Sequence, residues 1–474
     1  MPGAGTSAPN SELVRGLTLT SSTALVIGSI IGTGVFFKAA IMSQQVGSPA
    51  LVLIAWLVAG MLSLAGALTY AELGAMMPHA GGEYLYVRAA YGNMAAFLNG
   101  WMRFVVGSAG IAALGVGFAT FLSAVAPMPA VWAQRTFHLL GRDIYWRFGE
   151  REAVAVTAIL LFGSINCAGV AFGGRLQSVL TAAKVLGIAV IVVGVFLFSD
   201  SGSLAHFRTP ASAPQWTGLQ AFGAAMLSAL WACDGWAYMP MVAGEVREPE
   251  RNIPRALIIG VLVVLELYGL ANLAYFWALP FKEILSANSN LHRDALPVAA
   301  KAARTFLGPR GPAIVSILFM ISAAGGLNGV ILATARIPFI MARDGLFFAR
   351  LGKIHEVSHV PVWAIGALSV WSSLLALSGS FDQLTDMSVF AYWVFYALAA
   401  STVFVLRRRQ PNAPRPYRTL GYPVVPALFV LTAVWLLFNS LQTSPVEAAM
   451  GLLLILLGLP VFFFYRRRCE PAGF

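Results

Sequence analysis

The scarcest commodity in this sequence is charge: of 474 residues only 11% are Asp, Glu, Lys or Arg. An ordinary soluble domain carries about 25%, so this chain cannot clothe a globular surface in water-seeking groups. With 58% hydrophobic residues and a mean hydropathy of +0.76, it reads as an integral membrane protein. The three cysteines, Cys167, Cys233 and Cys469, lie too far apart for a disulfide framework or a thiolate metal site. The six histidines fall in or near loops without ligand spacing. No metal and no cofactor are expected. Neither a His-Glu-x-x-His constellation nor a cluster of acids is present, which argues against an enzyme and leaves no catalytic residue to name. The ~10-residue alternating segments of a β-barrel are missing as well. Residues 1–16 are polar and lack the pattern of a cleavable signal peptide.

What the chain has instead is apolar length. At about 20 residues per spanning helix, its runs give twelve spans. They cover 18–37, 48–74, 94–125, 153–170, 177–198, 218–244, a stretch starting at 252, 311–341, 362–377, 383–406, 423–438 and 446–465. Ser48-Pro49 and Asn252-Ile-Pro254 read as N-caps followed by an early proline. The polar segments at 127–150 and 282–310 read as long connections, and 467–474 as a C-terminal tail.

The formal charge of +11 could suggest nucleic acid, but the basic residues sit in loops and build no basic face, so no nucleic-acid partner is expected. They follow the positive-inside rule. With the N-terminus inside, the even-numbered loops hold Arg88, Arg175, Arg247, Arg343 and Arg407-Arg-Arg409, and Arg466-Arg-Arg468 follows the last span. Both termini are therefore expected on the cytoplasmic side of a lipid bilayer.

Two spans are interrupted. In Ala24-Leu-Val-Ile-Gly-Ser-Ile-Ile-Gly-Thr-Gly-Val-Phe-Phe37, the residues Gly28, Gly32 and Gly34 stand with Ser29 and Thr33 among them. Each glycine costs about 1 kcal/mol against alanine in a helix, which invites the helix to unwind. A small-residue packing seam, Gly28-x-x-x-Gly32, is the competing explanation. The sixth span carries the turn-like pair Asp234-Gly235. The first helix of spans 1–5 and the first of spans 6–10 are thus both broken, the pattern of an inverted repeat with a midplane site. The layout is a first five-helix repeat over 17–200, a second over 217–406, and helices 11 and 12 over 420–466.

Gly28-Ser-Ile-Ile-Gly-Thr-Gly-Val-Phe36, Tyr70-Ala-Glu-Leu-Gly74, Gly81-Gly-Glu-Tyr84, Thr181-Ala-Ala-Lys184, Asn252-Ile-Pro-Arg-Ala256, Ser444-Pro-Val-Glu447 and Gly458-Leu-Pro460 resemble the amino acid–polyamine–organocation superfamily. Within it the chain is similar to the L-type amino-acid transporter group and its bacterial serine/threonine-type exchangers. The resemblance implies an all-α, LeuT-type fold with helices 1 and 6 discontinuous, working by alternating access in the plasma membrane, here a bacterial inner membrane. It implies that a substrate carboxylate meets Thr33 and Gly34, and that the α-amino group meets the carbonyls of Ile30, Trp231 and Asp234. The eukaryotic light chains carry a cysteine in the loop between spans 3 and 4 for a disulfide to a heavy chain. Residues 127–150 have none, so a single subunit, a monomer without a heavy chain, is expected.

Other residues have two readings. Lys184, at membrane depth, either replaces the cation that sodium-coupled relatives hold against the broken span 1, or snorkels to the interface. Trp231 matches the family's gating aromatic, or packs. Asn328, flanked by glycines, lines the side-chain pocket or bonds between helices. Glu72, Arg103, Glu266 and Arg336 are further charges in or near spans. The functional expectation is exchange of neutral L-amino acids. Its rivals are proton-coupled symport and, further off, an amine or polyamine permease or a substrate sensor. Asp234 either caps the second half of span 6, attracts the substrate ammonium or carries a proton. Uptake that falls in Asp234→Asn identifies a substrate or proton role; unchanged uptake leaves only the cap.

Overall fold

The computed structural model describes residues 13–139, 142–208, 218–289, 291–292, 295–378, 381–443 and 445–469. Most of the polar N-terminal tail, Ser444 and residues 470–474 lie outside them. Every run that reads as a span is helical. The first is split into α1 (Leu19–Ile30) and α2 (Gly34–Val46), followed by α3 (Pro49–Met76), α4 (Glu83–Tyr91), α5 (Asn93–Val105) and α6 (Ser108–Val125). Strands β1 (Val131–Leu139) and β2 (Arg142–Gly149) precede α7 (Glu150–Cys167) and α8 (Val170–Phe198). The second half opens with α9 (Gly218–Ala232), a 3-10 segment (Trp236–Glu245) and α10 (Pro249–Ala278). It continues through α11 (Phe281–Leu285), α12 (Val298–Leu307), α13 (Gly311–Thr334), α14 (Arg336–Arg343), α15 (Val362–Ala376) and α16 (Phe381–Arg409). The chain ends with α17 (Val424–Thr443), α18 (Pro445–Leu456) and α19 (Gly458–Cys469). Among the described residues, nine helical stretches are long and apolar enough to cross a membrane, and α15 is apolar but shorter.

Two expectations are corrected. The fold is not all-α: within the long connection at 127–150, β1 and β2 pair antiparallel, with Val131 opposite Gly149 and Leu139 opposite Arg142. Val131, Thr136, Ile144 and Trp146 are of the β-branched and aromatic types that favour strands, and this hairpin is the exception to an all-helical chain among the described residues. Helix α10 starts at Pro249, before the cap expected at Asn252, because Pro249 takes the first helical position behind Glu248 at φ 45°.

Side chains such as Leu57, Val179 and Leu186 are exposed on the outer faces, where a surrounding bilayer would solvate them. Glu266 shares such a face on α10. Of the other charges expected in or near spans, Glu72, Arg103 and Arg336 are buried. The start of α1 is tied to the end of the 3-10 segment, with Leu17 N–H donating to the Glu245 carbonyl and Arg247 N–H to the Leu17 carbonyl, both at 2.9 Å. At this arginine-rich end Arg336 grips Glu245 with two 2.8 Å bonds. Both partners are buried. Arg407 holds Glu72 at 2.9 and 2.7 Å. Removing one partner of a buried pair strands the other charge, at about 3–5 kcal/mol. Arg336→Met therefore lowers the melting temperature of the detergent-solubilised protein sharply, whereas Arg336→Met combined with Glu245→Leu recovers most of the loss.

Candidate functional site

The two interruptions meet. Helix α1 stops at Ile30 and α2 restarts at Gly34, so the open stretch is Ile31, Gly32 and Thr33. Opposite it, α9 stops at Ala232 and the backbone turns through Gly235 at φ 127° before the 3-10 segment. A Cβ on Gly235 would lie 2.6 Å from the carbonyl carbon and oxygen of Ser29. Only glycine permits both that angle and that approach. Likewise a Cβ on Gly34 would lie 2.4 Å from Cβ of Ala232, so α2 starts pressed against the end of α9.

A cavity of about 60 Å³ lies at this crossing, lined by Ser29, Thr33, Gly34, Trp231, Asp234 and Tyr392 among others. At about 10–15 Å³ per water-sized group, it takes a small molecule. The hydroxyls of Ser29 and Thr33 are buried without a hydrogen-bond partner among the described residues. Such groups cost about 1–3 kcal/mol each when left unpaired, and both oxygens lie in residues that line the cavity. Beside them, the Gly34 and Val35 N–H groups at the start of α2 have no intrahelical acceptor, while that of Phe36 donates to the Thr33 carbonyl at 3.2 Å; a helix start attracts anions.

The opposite side of the break is already satisfied. Lys184, on α8 and 1% exposed, donates to the carbonyls of Gly28 (2.9 Å), Ile31 (2.6 Å) and Ser322 (3.0 Å), which uses all three of its protons. Ser322 Oγ lies 3.0 Å from the Ile31 carbonyl and 2.8 Å from that of Gly32. Glycines on α13 admit this arrangement: a Cβ on Gly325 would stand 3.0 Å from the Lys184 ammonium, and one on Gly329 2.9 Å from Ser29 Oγ.

Asp234 faces the cavity, and its carboxylate accepts a 2.5 Å bond from the Tyr396 hydroxyl on α16. Behind this pair lies a cluster that the sequence hides. Arg103, fully buried, pairs through Nε with Glu83 of the Gly-Gly-Glu-Tyr stretch. Its guanidinium stands 4.5 Å from the Tyr392 ring centre and 5.1 Å from that of Tyr396. Glu83 also accepts from Tyr70 at 3.0 Å. An arginine inside an apolar run was visible in the sequence; its partner, on another helix, was not.

Several expected site residues move. Gly28 is not unwound: it lies within α1, where a Cβ would strike Gln177 and Thr181 of α8, so the packing explanation fits it. Gly34 opens α2 rather than lying in the unwound stretch, while Gly32 and Gly235 are in the breaks. The Ile30 carbonyl, expected to meet an ammonium, already takes the Gly32 N–H (2.7 Å) and the Tyr268 hydroxyl (3.1 Å), which fills its two lone pairs. Asn328 does not line the cavity. Its amide donates to the Gly173 carbonyl (3.0 Å) and Gln177 (2.9 Å), and its oxygen accepts from Asn166 at 3.2 Å. Trp231, half-buried, remains on the cavity wall.

The crossing generates a direct test. Gly235→Ala combines a forbidden φ, about 1–3 kcal/mol of strain, with a backbone collision, and it lowers the melting temperature. Gly269→Ala, inside α10 where a Cβ meets nothing within 4 Å, does not lower it and, alanine being the better helix former, raises it slightly.

Comparison with known proteins adds a third line to the sequence and the geometry. The family model described as "Amino acid permease" matches residues 17–460. The chain is 32% identical over 459 residues to the serine/threonine exchanger SteT of Bacillus subtilis (strain 168), covering 96% of this chain and 98% of that protein. It is 30% identical to the human large neutral amino acids transporter small subunit 2, covering 98% of this chain and 82% of that one. To the human cystine/glutamate transporter it is 29% identical, covering 96% and 86%. With two broken helices around a small cavity and a match along nearly its whole length, the chain belongs to the amino acid permease family of the amino acid–polyamine–organocation superfamily.

Proposed function

We propose that this protein is a secondary active transporter of neutral L-amino acids that works by exchange, opening one cavity to each face of the membrane in turn. The observation that carries the reading is the pair of buried, unpartnered hydroxyls, Ser29 and Thr33, beside the free N–H groups that start α2. A substrate carboxylate fits there. The ammonium goes to the Asp234 side, where the carboxylate and the Trp231 and Asp234 carbonyls supply acceptors. Both ends of an amino acid are thus read, and the small cavity favours short side chains. A serine/threonine exchanger and a large neutral amino acids transporter among the relatives support the same substrate class.

The chain folds as twelve spans, five plus five inverted and two more, with the spans built from α1–α2, α3, α9 with its 3-10 segment, and α10 rocking against the rest. Glu72–Arg407 and Glu245–Arg336 each join a rocking span to a static one, so they form the inner gate. Lys184 occupies all its donors on carbonyls of α1 and α13, acting as a fixed cation that removes the need for a driving ion. The arginine-rich end, with both termini, faces the cytoplasm of a bacterial cell, and the absence of cysteine from 127–150 supports a single subunit without a linked heavy chain.

Uptake of labelled alanine, serine, threonine and leucine into proteoliposomes tests this, with and without internal amino acid and with and without an inward proton gradient. Flux that requires internal amino acid and ignores the gradient is expected. Accumulation in empty vesicles driven by the gradient would replace exchange with proton symport. Thr33→Val, which removes a bond to a charged group worth about 1.5–3 kcal/mol, keeps its fold and weakens apparent affinity about ten- to hundredfold.

A further inference from the structure

Lys38 plays no part in the site described above. It lies on α2, four residues beyond Gly34, and is 6% exposed. Its ammonium stands 4.8 Å from the centre of the Trp231 ring and forms no ion pair or hydrogen bond among the described residues. An ionisable group at membrane depth is costly and in most cases is functional. Snorkelling does not explain it. About 12 Å of α2 separate Lys38 from the helix end at 1.5 Å per residue, and the side chain turns onto the indole instead.

The geometry links this ammonium to the cavity. Trp231 and Gly34 both line the cavity, and a Cβ on Gly34 would lie 3.4 Å from Cζ3 of the same indole. One ring therefore borders the ligand space and also carries the cation. Residues four apart lie on one helix face, about one turn or 5.4 Å from each other. Lys38 thus sits one turn above the N–H groups that start α2, on the side of the cavity away from the arginine-rich end. A cation held only by a π face keeps its ammonium donors unspent and is ready to take a stronger partner.

We propose that Lys38 is an arrival site for carboxylates. The carboxylate of an incoming amino acid displaces the indole as partner of the ammonium. It then passes one turn down α2 to Thr33 and Gly34, while Trp231, released, turns over the cavity. The same charge repels ligands that are positive overall. The subsite therefore admits zwitterionic and acidic amino acids and disfavours cationic amino acids and amines lacking a carboxylate. This deepens the transport reading and rests on it.

The test compares wild type with Lys38→Met, which keeps the stem and loses the charge, and Lys38→Arg, which keeps both the charge and the ring contact. Lys38→Gln takes the place of the Met variant if that one does not fold. Exchange of external labelled alanine is measured in proteoliposomes at low and high ionic strength, with arginine, agmatine and aspartate as competitors. In the Met variant the KM for alanine rises about tenfold while the maximal rate stays within twofold, its salt dependence disappears, and arginine and agmatine compete better relative to aspartate. The Arg variant behaves like wild type. A Met variant with unchanged KM overturns the proposal. So does one whose affinities for alanine, arginine, agmatine and aspartate all fall by the same factor, since that is what loss of a mere prop for Trp231 would do. Wild-type protein that exchanges no amino acid defeats the transport reading itself, before any variant is compared, and the arrival site falls with it.

Discussion

Everything at the centre of this molecule depends on one constraint: a backbone opened inside a membrane must settle its polar groups with protein, because lipid offers none. Here the settlement is one-sided. The carbonyls at the end of α1 are taken by Lys184, Ser322 and Tyr268, each reaching in from a different helix. The N–H side is left with the idle hydroxyl of Thr33, just before α2, and that of Ser29 in the last turn of α1. In the proposed reading the break receives the negative end of a substrate, while its carbonyl side is already occupied by the Lys184 ammonium. Asp234 supplies the complementary pole across the cavity. Its own position is fixed through Tyr396, which packs against a guanidinium that Glu83 anchors.

Much of this was legible in the sequence, for identifiable reasons. Charge scarcity and apolar length report a bulk property, so class and helix positions follow directly. Gly235 announces its break because glycine is the residue that a turn at φ 127° and a backbone contact demand, and Gly32 announces the other because glycine is a poor helix former. Lys184 was visible as a lysine where lysine is expensive. What stayed hidden is what depends on a partner from another helix. Gly28 and Gly34 look alike in one dimension, yet Gly28 makes room for Gln177 and Thr181 whereas Gly34 receives Ala232. Asn328 between glycines looks like a pocket residue and turns out to knit α7, α8 and α13. The Ile30 carbonyl looked free because nothing in the sequence points Tyr268 at it. The hairpin was missed because strand pairing is a contact between segments, and the apolar pattern that finds spans is silent in a polar stretch.

The two ends of the molecule are packed by different physics. At the arginine-rich end, carboxylate–guanidinium pairs clamp α3 to α16 and the 3-10 segment to α14, with Arg415 adding a second cation to Glu72 at 3.4 Å. Beyond the cavity on the other side stand aromatic rings: Phe121 stacked on Phe319 at 3.5 Å, Phe37 edge-on to both, and Trp231 under Lys38. Ion pairs have narrow geometric tolerance, and separating them exposes charge; rings slide past one another at little cost.

In the proposed cycle, that inequality would make the carrier's resting populations unequal. In that cycle, opening the clamped end breaks several charge-assisted hydrogen bonds together, whereas opening the aromatic end needs rings to turn, so the two openings differ in free energy. A carrier biased in this way half-saturates at different concentrations on its two faces, since each face's apparent affinity is scaled by the fraction of molecules presenting a site there. The bias cannot create a gradient, because an exchanger's equilibrium is set by the pools it connects. It sets which pool the carrier samples first, and at what concentration the opposite pool begins to be drawn upon.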